Sequence, residues 1–114
     1  MNYPNTLLLI AGIWQEASDG RTLPVFNPAT GEEIGRVAHA STYDLERAAV
    51  AAQAGFEVWK EKTALERQKI MRVAATLMRE RVDNTARLLT SEQGKPLAEA
   101  RAEVLAAADI IDWF

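Results

Sequence analysis

Residues 22–49 read TLPVFNPATGEEIGRVAHASTYDLERAA, and the change of period within them decides the fold. Up to residue 38 the apolar residues come in two short runs, TLPVF and EIGRVA, separated by NPATGE. Asn27 and Pro28 start a turn there, and Gly31 supplies a position tolerant of positive φ. That pattern is a hairpin. Pro24 lacks an amide donor, which makes Thr22 to Phe26 an edge strand or a partly paired one. From Ser41 onward, Leu45, Ala48, Ala49, Ala52, Phe56 and Trp59 recur at steps of three and four, the period of a helix. Ser41 or Thr42 caps that helix, with Asp44 near its positive end.

Toward the amino end, LLLI and IW flank Ala11–Gly12 and read as a first hairpin. Its turn is weak, because a type I′ turn prefers Asn–Gly. Toward the carboxyl end, TALE at Thr63 to Glu66 is a capping box for a second helix with Leu65, Ile70, Val73, Ala74 and Leu77 on its buried side. RVDN then interrupts the run, where Asp83 and Asn84 suit a new cap. A third helix through Ala86 and Leu89 ends at Gly94, and Pro96 stands where the first turn of a fourth needs no donor. The expected class is α+β: a β-hairpin segment over 1–40, then a helical segment over 41–114.

The chain has 114 residues and a net charge of -3, with basic residues never clustered, which disfavours nucleic acid and anionic membrane partners. It contains no cysteine, so a disulfide framework, a thiolate zinc site and a cysteine nucleophile are excluded within this stretch. The apolar run at 7–14 has no basic segment before it and no small-residue cleavage site after it, and no run approaches a bilayer span. A cytoplasmic location is the expectation. His39, the one histidine, reads as a solvated loop residue with no second ligand beside it. The pairs Glu32–Glu33 and Glu61–Glu66 read as solvated charge, and Trp14, Phe56, Trp59, Met71 and Met78 as core or interface packing residues. Phosphate-binding glycine motifs and the GxSxG elbow are absent.

AEVLAAADIIDWF at 102–114 carries Ile110, Ile111, Trp113 and Phe114 with no helix stop after them, and reads as cut through a helix. Such a face is expected to associate, giving a homo-oligomer through the last helix.

Five motifs in order, LIAGIW, NPATGE at Asn27 to Glu32, AAQAGFEVW, ERQKIMRVAATLMRERV and EQGKP at Glu92 to Pro96, resemble the amino-terminal part of the aldehyde dehydrogenase superfamily. EQGKPLAEA followed by IIDWF is most similar to the succinate-semialdehyde and glutarate-semialdehyde dehydrogenases of that superfamily. The resemblance implies an amino-terminal fragment of an α/β enzyme, together an incomplete part of its Rossmann-like cofactor-binding domain. It also implies NAD- or NADP-dependent oxidation of a semialdehyde to the acid. In that chemistry a cysteine thiolate attacks the aldehyde, hydride leaves to nicotinamide, and a glutamate-activated water hydrolyses the thioester. None of those residues falls within 1–114, so no catalytic or cofactor-binding residue is assigned here, and this stretch alone is expected to be inactive and to bind no cofactor. One site does carry over. The resemblance implies that Glu92, with the backbone carbonyls of Val25 and Phe26, helps hold a monovalent cation, a hard-oxygen set suited to sodium or potassium; the alternative is a helix-terminal Glu that bonds only to backbone. The alternatives are a standalone helical interaction module or an inactive structural subunit.

Overall fold

The structure, a computed structural model, describes residues 3–114. Four strands, β1 (Leu8–Ile10), β2 (Ile13–Gln15), β3 (Thr22–Phe26) and β4 (Glu33–Ala38), precede four helices, α1 (Thr42–Lys60), α2 (Ala64–Glu80), α3 (Val82–Gln93) and α4 (Leu97–Trp113). Each hairpin is an antiparallel two-stranded sheet, β1 with β2 and β3 with β4. The expected α+β class is the one observed.

The chain forms two compact units, one of Met1–Phe26 and Glu32–Glu61, the other of Asn27–Gly31 and Lys62–Phe114. In the first, β3 is the edge strand its proline requires, with Pro24 opposite Arg36. Thr6 bridges the outer side of β4, its N–H donating to the Arg36 carbonyl at 2.9 Å and its carbonyl accepting from Ala38 N–H at 2.8 Å. In the β1–β2 turn Ala11 has φ 54° and Gly12 φ 77°, both left-handed as a type I′ turn demands. Ala11 is the only non-glycine at positive φ among the described residues. An L side chain pays roughly 1 kcal/mol there, and asparagine less. Ala11→Asn is therefore expected to raise the denaturant midpoint, with a gain of about 0.5–1 kcal/mol; an unchanged midpoint would mean the turn relaxes to accept alanine.

The second unit is a helix cluster in which α4 packs on both α2 and α3. Its buried seam is made of small side chains: Ala100, Val104 and Ala108 on α4, Ala75 on α2, Val82 and Ala86 on α3. The α4 set falls at i, i+4 and i+8, one face of the helix. Ion pairs flank the seam, Arg79 to Asp109 at 2.7 Å and to Asp112 at 2.6 Å, and Arg101 to Asp83 at 3.0 Å.

Two sequence-based expectations are corrected. The large apolar side chains read as the buried side of α2 are exposed in this chain, Leu65 59%, Ile70 46% and Val73 61%; Leu45 67% and Phe56 55% on α1 and Trp14 62% are exposed too, which for Phe56 and Trp14 leaves the interface reading open. Trp59, Met71 and Met78 are half-buried. Periodicity identifies an apolar stripe, not what covers it, and here α2 meets its neighbour through its alanine side. The second correction concerns the break between α2 and α3. It falls on Arg81 alone (φ -101°, ψ 9°), and α3 has no side-chain cap. Arg81 N–H still donates to Leu77 O and Thr85 N–H to Arg81 O, so the run is nearly continuous and leaves few donors to cap. Asp83 sits inside the first turn instead and pairs with Arg101.

Candidate functional site

The residues read as cation ligands stand at two chain reversals. Val25 and Phe26 end β3, where the register shifts: Val25 faces Gly35 and Phe26 faces Glu33, leaving Ile34 unmatched. A bulge of this kind interrupts the hydrogen-bond ladder and re-aims the local backbone. The turn that follows is held by Asn27, whose side-chain oxygen accepts from Ala29 N–H at 2.9 Å and whose carbonyl accepts from Gly31 N–H at 2.8 Å.

Glu92 is the penultimate residue of α3, exposed, and two positions before Gly94. Glu92 lies in the last turn of α3, at the negative end of the helix dipole. Gly94 closes the helix at φ 75°, its N–H donating to Thr90 O at 2.8 Å. A Cβ at Gly94 would lie 2.9 Å from Pro28 Cγ, so within the second unit the Asn27–Gly31 turn rests directly on the end of α3. Val25 and Phe26 belong to the first unit and Glu92 to the second. Among the described residues no group of three or more His, Cys, Asp or Glu could hold a metal ion.

The other polar centre is structural, and sequence reasoning saw only half of it. Asp44 is fully buried. It closes the capping box of α1 with Ser41, accepting from Ser41 N–H and Ser41 Oγ, both at 2.9 Å. It also reaches back to the loop after β2, accepting from Ser18 N–H at 3.0 Å and Ser18 Oγ at 3.1 Å. The Ser41 backbone N–H, then that of Ser18, bring its pKa from 3.8 down to about 2, against the opposing effect of burial. A depressed carboxylate pKa contributes stability that is fully present above its unfolded value and lost as pH falls through the folded one. Asp44→Asn is thus expected to destabilise the chain at neutral pH, with the gap to wild type narrowing between about pH 4 and about pH 2. Denaturant midpoints across that range check it, and a pH-independent gap would assign the loss to packing.

The remaining candidates fall as read. His39 is exposed, its N–H spent on Arg21 O at 2.9 Å. Glu66 serves the Thr63 capping box at 2.8 Å, and the Thr63 N–H followed by the Thr63 hydroxyl lowers its pKa. Glu33 pairs with Arg36 at 2.8 Å. A groove of about 440 Å³ is open and mostly apolar, lined by Ile10, Ala11, Tyr43, Val50, Ala51 and Ala54 with Glu46 and Arg47. No helix among the described residues is long and apolar enough to cross a membrane.

The model of the aldehyde dehydrogenase family matches residues 14–114. The chain is 48% identical to a glutarate-semialdehyde dehydrogenase of Pseudomonas putida and 45% identical to a 3-sulfolactaldehyde dehydrogenase of Pseudomonas putida, in each case over 92% of this chain and 22% of the relative. The structure of succinate-semialdehyde dehydrogenase from Burkholderia pseudomallei superimposes with a TM-score of 0.91 at 44% identity, covering 95% of this chain and 22% of that one. The chain thus spans about a fifth of the length of the relatives it matches.

Proposed function

Because this chain belongs to the aldehyde dehydrogenase family, we propose that it is the amino-terminal part of an NAD- or NADP-dependent enzyme oxidising a semialdehyde to its acid, succinate semialdehyde first and glutarate semialdehyde second. The observation that carries the reading is its identity to semialdehyde dehydrogenases across nearly its whole length. Semialdehydes and sulfolactaldehyde share a chemistry, an aldehyde tethered to a fixed anion. Residues 1–40 and 41–114 together form an incomplete part of the cofactor-binding domain, and they supply framework, with no nucleophile or base.

On this reading Glu92 and the carbonyls of Val25 and Phe26 help hold a sodium or potassium ion. The bulge after Val25, which re-aims the backbone at the end of β3, supports it. The exposed Ile110, Trp113 and Phe114 of the α4 end pack on further protein, either the remainder of a longer chain or a second copy in a homo-oligomer, in the cytoplasm.

The full reading frame tests the activity. Turnover with succinate, glutarate and uncharged short aldehydes is expected to favour the anionic substrates in kcat/KM; equal or better use of the uncharged ones sinks the substrate assignment. Residues 1–114 alone are expected to show neither turnover nor calorimetric binding of NAD or NADP. Light scattering on that chain is expected to report a dimer or larger, and a monodisperse monomer removes α4 as an assembly surface.

A further inference from the structure

Ser18, Asp19 and Gly20 form the exposed turn between β2 and β3. An Asp–Gly peptide carries a reaction of its own, because glycine puts no Cβ beside the attacking nitrogen. The Gly20 nitrogen can bond to Asp19 Cγ, and the carboxyl oxygen then departs as water, taking the amide proton. The resulting five-membered imide takes up one water at either carbonyl. One opening restores aspartate, and the other leaves the main chain running through the side-chain carboxyl as isoaspartate. One water is lost and one gained, with no other reactant.

In this structure both reacting groups are engaged. Gly20 N–H donates to Ala17 O at 2.8 Å. Asp19 Oδ1 accepts from Arg21 N–H at 3.0 Å and Oδ2 from Arg21 Nε at 2.6 Å. The attack needs a free nitrogen and a protonated carboxyl, and the turn withholds both. We propose that Asp19–Gly20 is a latent isoaspartate-forming site and that the Arg21 guanidinium is its guard. The Arg21 backbone N–H and then its side chain hold the Asp19 carboxyl below its ordinary pKa, which depletes the reactive acid form further. Arg21 is 60% and Asp19 37% exposed at the side chain, so the guard is a surface pair that opens in solution.

The test ages the full 114-residue chain at physiological pH and temperature and reads isoaspartate at position 19 by enzymatic methyl transfer and diagnostic mass-spectrometric fragments. Arg21→Ala removes the Nε bond to Asp19 Oδ2 and leaves that oxygen open to solvent, so it is expected to isomerise severalfold faster than wild type. Asp19→Glu should give no product there, since its ring would be six-membered. Wild type unfolded in urea sets the unguarded rate, which keeps the test decisive even if Arg21→Ala folds poorly. The proposal is overturned if folded and unfolded wild type isomerise equally fast, or if a folded Arg21→Ala matches folded wild type.

Discussion

Replacing Ala108 with leucine is expected to be among the most damaging single changes in the helix cluster. Ala108, Ala100, Ala86 and Ala75 are each 0% exposed, enclosed by their neighbours in the seam. Three added carbons must be accommodated by off-rotamer side chains or by moving α4 away from its neighbours. Overpacking of this kind costs about 1–3 kcal/mol. In a chain of this size that lowers the thermal midpoint by roughly 5–15 °C. Ala106→Leu, two residues earlier on the exposed side of the same helix, is the control and is expected to be nearly neutral. Equal midpoints for both variants would show that α4 is not held by a tight small-residue seam.

The second large effect is at Gly94. Its φ of 75° disfavours any L side chain by roughly 1–2 kcal/mol, and a Cβ there would also meet Pro28 Cγ at 2.9 Å. Gly12 separates these causes, because it has φ 77° with nothing within 4 Å of its hypothetical Cβ. Gly94→Ala is expected to cost at least 1 kcal/mol more than Gly12→Ala, and Pro28→Ala should recover much of the difference. If Gly94→Ala and Gly12→Ala lose the same amount, the turn does not rest on the helix end.

Most of the secondary structure was legible because its signals are local. The Thr63 box, the Gly94 stop, the edge proline and the Ser41 cap each act within a few residues, and each stands where the sequence puts it. The core was not legible. Alanine contributes little to a hydrophobic period, so the stripe of large residues on α2 masked the Ala75 side that makes the contact. Asp44 was visible as a helix-start acid, but its bonds to Ser18 join residues far apart in sequence, and no local pattern encodes them. The candidate cation site was legible only by resemblance: a Glu near a helix end and two strand carbonyls have no distinctive spacing.

The turn of Asn27–Gly31 is grouped with α2, α3 and α4 and not with its own strands, and that has a kinetic consequence. Residues 28 and 94 are joined by most of the chain, and closing so long a loop is slow and entropically opposed, whereas the helices and their hairpin-like turns form from near neighbours. The Pro28–Gly94 contact is therefore a late event, made on the native side of the folding barrier. Interactions absent from the transition state govern how fast a protein comes apart and leave its rate of assembly almost unchanged. The share of the Gly94→Ala loss that comes from Pro28, and that Pro28→Ala recovers, is accordingly expected to appear as faster unfolding with refolding at its usual pace, making this contact a determinant of the protein's lifetime more than of its birth.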